Sequence, residues 1–432
     1  MNGIENNNFS FENDYINHIS YIKEFTTEIY EEYDLIANKI DLNTKIDDLF
    51  NGKKVNLTEN LAAFHPKYRN DYNENEDSIN AISQYKNFFN NAKNIVSIGI
   101  GGSFEGPKLL IESIGATSEN FIFVTGSDSE EFKEKIFSLK PTETVFIVSS
   151  KSFTTDETLN ILSDAIKWSG DMNRFLAITA NKNEALKYKI PNIIEFDKEI
   201  GGRYSIWSDI SFAAHFANEA ELKEKFILGG KQADQDLKND KKYFKFIKNL
   251  SFSDVWLHND KNKFNRVILS YIWKFRSLPS YFQQLEMESL GKHPANKSNF
   301  SKTGQIIFGG YGPTAQHSYF QLLHQGTHDL CADIITSDED VNSLSYVQAI
   351  TQARLLSSGS EDPLKQEEII NGNIPINLII LKRIDSFTLG YLVATWEHRT
   401  FITASILGIN PFDQFGVNAG KFYTKKYFSL KD

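Results

Sequence analysis

The chain has 432 residues, of which 41% are hydrophobic and 24% charged, a composition typical of globular proteins that are long enough to form two domains. Its formal net charge is −10 and it has no run of five or more basic residues, which excludes the basic surface of a nucleic-acid-binding protein. The single cysteine, Cys331, excludes an internal disulfide and a cysteine-based zinc cluster.

The N-terminal region gives no sign of export or membrane insertion. It lacks the basic and apolar regions of a signal peptide, and no apolar stretch of the chain reaches transmembrane length. We therefore expect a cytoplasmic protein with no membrane partner. Residues 1–80 are polar, with helical periodicity over Tyr15–Ile40 and little sign of strands, which predicts an N-terminal helical segment.

The next part of the chain alternates between short apolar runs and amphipathic ones. The predicted strands are Ile95–Ile100, Phe121–Thr125, Val145–Ser149 and Phe175–Thr179. The predicted helices are Pro107–Ile114, Glu130–Leu139 and Asp156–Trp168. Such alternation predicts a mainly parallel sheet that is covered by helices on both faces.

A second α/β region follows the charged stretch Lys231–Lys263, which we interpret as a partly helical linker. Its predicted strands are Val267–Trp273, Ile306–Phe308, Ala332–Ile335 and Leu378–Leu381. Its predicted helices are Ser318–Leu323, Asp338–Leu356 and Phe387–Ile406. The sequence therefore predicts two α/β domains of similar architecture.

Two loops could bind a phosphate. The first, Gly99–Pro107, is rich in glycine and leads from a strand into a helix, whose free N–H groups favour anions. It is not a dinucleotide fingerprint, because Phe104 stands where the third glycine belongs. The second, Ser149–Thr155, has five hydroxyls and a lysine within seven residues at the end of a strand. The alternative interpretation of the second loop is an ordinary N-cap of the following helix with solvated polar neighbours. Because both loops follow strands of the same predicted sheet, the two together favour a metal-free phosphate site.

A candidate catalytic base lies in the run Gln284–Lys292. Glu286 and Glu288 are two residues apart, so they would point the same way if this run were extended. A partly desolvated carboxylate can move a carbon-bound proton near neutral pH. The alternative is a structural pair of glutamates near the end of a buried strand.

Other polar groups have equally open interpretations. Arg203 follows two glycines and could face a ligand or form a surface salt bridge. His317 and His324 are seven apart and would share one face of a helix, yet each could be a structural histidine. The chain has no His-Glu-x-x-His pattern, so we expect no metal site.

Taken together, six segments resemble the phosphoglucose isomerase family, in the family's order. They are Ile98–Pro107, Ser150–Thr158, Gly201–Ser208, Gln284–Lys292, Gln316–Thr327 and Asn410–Lys421. The resemblance implies two sugar-isomerase (SIS-type) three-layer domains with mainly parallel sheets, at 81–230 and 231–432. It also implies that the N-terminal segment packs on the second domain and that a helical segment ends the chain. The implied activity is interconversion of glucose 6-phosphate and fructose 6-phosphate by a homodimer, without metal or cofactor.

The resemblance also implies roles for individual residues. In the family, groups matching Ser103, Ser150, Ser152 and Thr155 bind the sugar phosphate, with Gly102 and Lys151 beside them. Glu288 matches the base that moves a proton between C2 and C1, and Arg203 matches the group that stabilises the cis-enediol(ate). His324, reaching in from the partner subunit, and Lys421 match the groups that open the sugar ring. Gln284 and Gln414 match substrate contacts.

Two alternatives share the same phosphate site. One is an isomerase of mannose or amino-sugar phosphates, and the other is a non-catalytic sugar-phosphate sensor of the same fold. A sensor could lose the four catalytic groups, whereas this sequence has all of them.

Overall fold

The computed structural model describes most of the chain. The described residues are 9–71, 85, 88–89, 92–114, 120–211, 220–296, 298–360, 362 and 365–428. Their strands form one sheet of five strands and one of six, both mainly parallel. Helices lie near both ends of the chain, so the predicted α/β fold class is confirmed. The exact domain boundaries stay a prediction.

The N-terminal segment contains two strands as well as helices. The elements are β1 (Phe11–Glu12), β2 (Ile16–Ser20), α1 (Thr27–Lys39), α2 (Leu42–Phe50) and α3 (Lys67–Asn70). Strand β2 pairs antiparallel with Ile376–Leu381 and so extends the second sheet. The expectation of few strands here is wrong for a physical reason. The inward positions of β2 are Ile16, His18 and Ser20, and two polar residues among the three hide the alternating apolar pattern.

The first sheet has five parallel strands in the order β4–β3–β5–β6–β7. The strands are β3 (Asn94–Ile98), β4 (Asn120–Val124), β5 (Thr144–Ser149), β6 (Phe175–Thr179) and β7 (Asn192–Glu195). The helices are α4 (Gly102–Ile114), α5 (Ser129–Ile136), α6 (Asp156–Ser169) and α7 (Lys182–Leu186). All four predicted strands are confirmed, whereas β7 was not predicted. Because β3 and β5 are parallel neighbours, the two candidate phosphate loops leave the sheet at the same edge.

The second sheet has the order β1–β2–β11–β10–β8–β9. Its later strands are β8 (Asn265–Ser270), β9 (Ile306–Tyr311), β10 (Leu330–Ser337) and β11 (Ile376–Leu381). The helices of this half are α8 (Ala220–Asn239), α9 (Lys241–Asn259), α10 (Leu278–Leu290), α11 (Gly312–Gln316), α12 (Phe320–Gln325), α13 (Leu344–Ser358), α14 (Ser386–Leu407) and α15 (Phe415–Phe428). The four predicted strands of this half are confirmed. No helix in the described ranges is both long and apolar enough to cross a membrane.

The linker predicted at Lys231–Lys263 is wrong, because helices α8 and α9 occupy this stretch. Helix α8 packs so closely on α14 that a Cβ on Gly229 would lie 1.9 Å from the carbonyl oxygen of Phe387. Residues Phe246, Ile247 and Leu250 of α9 are buried in the core. Most of the charged residues that suggested a linker are at least partly exposed on the outer faces of these amphipathic helices, whereas Asp234 and Asp254 are buried.

Helix α14 lies in the centre of the fold, where it carries buried charges. The guanidinium of Arg399 donates to the carboxylates of Asp254 and Asp333. The carboxylate of Glu397 accepts from Arg69, at 2.5 Å, and from the indole of Trp207, at 2.8 Å. Buried charges are stable only when they are paired and hydrogen-bonded, so these contacts fix α14 against the elements around it.

The first testable prediction concerns His18 of β2, which is fully buried beside Asn377. Burial lowers the pKa of His18 from 6.5 to about 4, because the charged imidazolium is poorly solvated there. Between these pH values the unfolded chain binds a proton at this position that the folded chain does not. The free energy of unfolding should therefore decrease by about 2 kcal/mol from pH 7 to pH 5 through this group alone.

Urea titrations of the parent and of His18→Gln at both pH values measure this difference. The variant should lose about 2 kcal/mol less than the parent over the same range. An equal pH dependence in the two proteins would contradict the burial of a neutral His18.

Candidate active site

A buried arginine forms the centre of the candidate site. Arg203 lies in the 3₁₀ helix Gly202–Trp207 and is only 2% exposed. Its Nη1 donates to Gln414 Oε1 at 2.8 Å and to Glu288 Oε2 at 3.3 Å. The structure thus brings together three of the residues that the sequence singled out, from three separate parts of the chain.

The remaining donors of Arg203 bind neutral groups. Its Nε donates to Ser289 Oγ at 2.8 Å, and its Nη2 donates to the backbone carbonyls of Asp413, at 3.0 Å, and of Pro411. Glu288 is the one anion among these five acceptors. The positive charge of the guanidinium is therefore shared with a single carboxylate and can also act on a ligand nearby.

The two glutamates of the candidate base are on a helix, α10, and not on a strand. Residues two apart on a helix point about 200° from each other, so the expectation that they face the same way is wrong. Glu286 is buried and accepts from Trp396 Nε1, at 2.5 Å, and from Arg266. Glu288 points to the other side, where its side chain is 33% exposed. Glu286 is thus a structural residue, and only Glu288 faces the site.

Gln284 connects Glu288 to the first phosphate loop. Its Nε2 donates to Glu288 Oε1 at 3.3 Å, one helical turn along α10. A Cβ on Gly101 would lie 3.0 Å from the same nitrogen, and the backbone of Gly101 has a φ of +60°, which favours glycine. The buried Oε1 of Gln284 has no hydrogen-bond partner among the described residues. This oxygen is therefore an acceptor that a substrate hydroxyl could use.

The first phosphate loop also contacts the segment that carries Arg203. A Cβ on Gly102 would lie 1.9 Å from the carbonyl oxygen of Gly202, so only glycine fits at this approach. Ser103 follows directly, in the first turn of α4, where the backbone N–H groups of residues 103–105 donate to the carbonyl oxygens of Ile100 and Gly101. The loop is therefore held between the Arg203 segment and α10.

The second loop has its hydroxyls arranged by a tight turn. Ser150 Oγ lies 3.2 Å from Thr155 Oγ1 and accepts from the backbone N–H of Phe153, which has a φ of +53° and a buried ring. Ser152 Oγ accepts from the hydroxyl of Thr154 at 2.7 Å. The turn groups several hydroxyls just before the start of α6.

Lys151 lies within this turn and is partly buried. Burial lowers the pKa of Lys151, while the nearby carboxylates of Glu59 and Glu199 act in the opposite direction. Its backbone carbonyl accepts from Thr179 Oγ1 and from the N–H of Ala180. The lysine is thus held in place by its backbone, and the charges that act on its ammonium group are those of Glu59, Glu199, Asp197 and Arg203.

Two of the predicted catalytic residues lie outside the Arg203 cluster. His324 is on α12, where its Nε2 lies 2.9 Å from Gln352 Oε1 and its ring packs edge-on against Phe320. Lys421 is on α15, which is exposed from Phe415 to Tyr427. Within the described parts of this single chain, neither residue contacts Glu288 or Arg203.

Comparison with known proteins identifies the family. Residues 20–430 match the phosphoglucose isomerase family model. The chain belongs to the phosphoglucose isomerase family. The six-segment resemblance in the sequence is thereby confirmed, over nearly the whole chain.

Relatives and solved structures agree with this assignment. The chain is 33% identical to glucose-6-phosphate isomerase of Wigglesworthia glossinidia brevipalpis, over 95% of this chain and 86% of that protein. It is 34% identical to the Legionella pneumophila (strain Paris) protein of the same name, over 89% of this chain and 84% of that protein. A crystal structure of glucose-6-phosphate isomerase from Chlamydia trachomatis D/UW-3/Cx has the same fold, with a TM-score of 0.87 and 21% identity, and the match covers 98% of this chain and 90% of that chain.

Three residues of the site were not predicted from the sequence. They are Ser289, Lys292 and Asp413. Lys292 Nζ lies 3.1 Å from the Asp413 carboxylate, and burial, followed by the charge of Arg203, lowers the pKa of Lys292. The available signal was adjacency in sequence, because each residue lies within four positions of Glu288 or Gln414.

A cavity of about 1100 Å³ opens beside Glu288 and Gln414. This volume is slightly above the usual range of small-molecule pockets, about 300–1000 Å³. One wall comes from the loop before α15 and another from the N-terminal segment, through Lys54, Val55, Leu57 and Thr58. The cavity gives the exposed face of Glu288 access from solvent.

Proposed function

We propose that this chain interconverts glucose 6-phosphate and fructose 6-phosphate by proton transfer through a cis-enediol(ate). The observation that carries this proposal is the shared position of Arg203, Glu288 and Gln414 beside a loop suited to phosphate. An aldose–ketose isomerase needs a base over C1 and C2, and it needs positive charge near the oxygen that becomes anionic. One cluster of side chains supplies both.

The phosphate would bind at the edge of the first sheet. Its oxygens would accept from the hydroxyls of Ser103, Ser150, Ser152 and Thr155 and from the backbone of Gly102, with Lys151 adding positive charge. Binding at C6, far from the reacting carbons, supplies free energy that positions C1 and C2 against the base. The close approach of Gly101 to the side chain of Gln284 supports this arrangement, because it places the loop next to α10.

The proton would move on the Glu288 carboxylate. Glu288 takes the proton from C2 of the open-chain aldose, the C1–C2 double bond forms, and negative charge develops on the C1 oxygen. Arg203 stabilises that charge in a site where it cannot be fully solvated. Transfer of the O2 proton to the anionic C1 oxygen, and return of the carbon-bound proton from Glu288 to C1, complete the ketose. No electron acceptor, metal or cofactor enters this balance, and we propose that none is required.

Ring opening needs a further acid and base, and the structure offers two histidines as candidates for this group. The resemblance assigns the role to His324 across a homodimer interface, assisted by Lys421. In the single chain, however, His324 already bonds to Gln352, whereas His317, at the end of α11, is exposed. We therefore propose that a histidine of the partner subunit acts as the acid and base of ring opening. The two candidates for this histidine are His324 and the exposed His317.

The alternatives from the sequence are less favoured. A sugar-phosphate sensor would not need a base held between an arginine and two glutamines. An isomerase of mannose or amino-sugar phosphates would use the same chemistry, but the relatives that cover most of this chain bear the name glucose-6-phosphate isomerase.

The second testable prediction concerns Glu288. Glu288→Gln keeps the shape and the hydrogen bonds of the side chain but removes the basic oxygen, so kcat on fructose 6-phosphate should fall at least about 1000-fold. A coupled assay for glucose 6-phosphate, with and without chelator, measures the rate, and calorimetry with fructose 6-phosphate should show retained binding.

Glu286→Gln is the matched control for this variant. It changes the same chemical group on the same helix, but next to Arg266, so the main effect should be a lower free energy of unfolding, by about 3 kcal/mol. Wild-type kcat in Glu288→Gln would contradict the proposal. An inactive parent protein that still binds the phosphosugar would favour a sensor.

The third prediction tests the composition of the site across a dimer. Glu288→Gln is mixed with His317→Ala in one experiment and with His324→Ala in another. For the histidine that acts across the interface, the mixture should recover about a quarter of the parent activity, since half of randomly mixed dimers are hybrids and each hybrid has one complete site.

Subunit exchange in each mixture is confirmed by native mass spectrometry. Recovery with only one of the two histidine variants identifies the residue. If both histidine variants are inactive alone and neither mixture recovers activity despite exchange, the proposed cross-interface role is wrong.

A further inference from the structure

The carboxylate of Asp413 joins three parts of the chain next to the site. Asp413 is buried, and its Oδ2 accepts from Thr58 Oγ1 at 2.7 Å and from Asn410 Nδ2 at 3.0 Å. Its Oδ1 lies 3.1 Å from the Nζ of Lys292, two residues after the end of α10. This one carboxylate therefore connects the N-terminal segment, α10 and the loop before α15.

The backbone of the same residue faces Arg203. The Asp413 carbonyl accepts from Arg203 Nη2 at 3.0 Å and also from Lys292. The next residue, Gln414, accepts from Arg203 Nη1 at 2.8 Å. Any rotation of Asp413 about its backbone would shift both of these acceptors, and with them the guanidinium that bonds to Glu288.

The contact from the N-terminal segment comes from a compact turn. Backbone hydrogen bonds of 3.1 Å link Asn56 and Leu61 in both directions, and Thr58 lies between them. Asn410 Nδ2 donates to Asn56 Oδ1 at 2.8 Å and to Thr58 Oγ1 at 2.7 Å. Two residues of the turn, Asn56 and Thr58, are thus hydrogen-bonded to the loop that carries Asp413, although Thr58 and Asp413 lie 355 positions apart in sequence.

We propose that Asp413 and Thr58 are positioning residues for the isomerase site, which act through Gln414 and Arg203 on Glu288. This inference rests on the proposed function and adds the N-terminal turn Asn56–Leu61 to the catalytic machinery. A displacement of a reacting group by about 1 Å can cost about 100-fold in rate, so a device that fixes the Arg203 acceptors has a direct kinetic effect.

Charge supports the same role. Lys292 and Arg203 are two cations near each other, and the carboxylate of Asp413 lies against the first of them. Without it, the carboxylate among the described residues that is left to act on Lys292 is Glu288, which also accepts from Arg203. The cations would then compete for Glu288, and the carboxylate would be drawn away from its position over the substrate.

The test compares Asp413→Asn with the parent on fructose 6-phosphate. The asparagine has the same size but removes the charge, so kcat should fall about 10- to 100-fold. KM should change less than about threefold, because the phosphate loops do not contact Asp413. Asp329→Asn is the matched control, since it removes the same charge from an exposed ion pair with Lys263 and should leave both constants unchanged.

A second pair of variants keeps the inference testable if Asp413→Asn does not fold. Thr58→Val removes only the hydroxyl and should lower kcat about two- to fivefold, whereas Thr58→Ser should restore it. Thermal unfolding separates this effect from a merely structural one, which would lower the Tm of the variant without lowering kcat of the folded protein.

An unchanged kcat in Asp413→Asn, or a rise in KM alone, would overturn the positioning role. The proposed function would still stand in that case, provided that the parent protein is active. Equal kcat in Thr58→Val and Thr58→Ser would overturn the part assigned to the N-terminal turn. An inactive parent would instead overturn the proposed function, and this inference with it.

Discussion

Burial of one guanidinium group constrains the whole site. Arg203 is almost inaccessible to water, and each of its five N–H donors needs an acceptor, because an unpaired buried charge is very costly. The acceptors come from α10, through Glu288 and Ser289, and from the loop Pro411–Gln414. Segments far apart in sequence are therefore held at hydrogen-bonding distance, and the functional geometry follows from the need to solvate one cation with protein atoms.

The same constraint explains how a charged arginine can serve both folding and catalysis. Four of its acceptors are neutral, so the N–H groups of Arg203 are hydrogen-bonded while most of its positive charge is not neutralised. The single anionic acceptor, Glu288, is the group that must keep its place over the substrate. Around this centre, Trp207 bonds to Glu397 of the buried helix α14, which anchors the 3₁₀ helix that presents Arg203. The core and the site are thus joined through this 3₁₀ helix, which has Arg203 near its start and Trp207 at its end.

Local patterns in the sequence predicted the parts of the structure that depend on local physics. Buried parallel strands have continuous apolar runs, so β3, β5 and β6 were predicted, together with the two candidate phosphate loops that follow β3 and β5. The patterns failed where the burial pattern misleads. The polar residues His18 and Ser20 interrupt the apolar pattern of strand β2, so this strand was not predicted. The charged residues on the outer faces of α8 and α9 made these helices resemble a linker. Glu286 and Glu288 resembled a pair of carboxylates on one face, but they point to different sides of helix α10. The contact of Thr58 with Asp413 could not be predicted, because nothing local to either residue specifies a partner 355 positions away.

The fate of the hydrogen that moves between C2 and C1 shows most directly whether Glu288 transfers it as a proton. Glu288 is 33% exposed, so its protonated carboxyl can exchange with solvent before it returns the proton to carbon. Isomerisation of glucose 6-phosphate in D₂O, followed by NMR spectroscopy, should therefore place deuterium at C1 of fructose 6-phosphate. Turnover at the normal rate with no deuterium at C1 would contradict proton transfer by a carboxylate that exchanges with solvent, and would leave hydride transfer between the carbons, or a proton shielded from water, as the explanation.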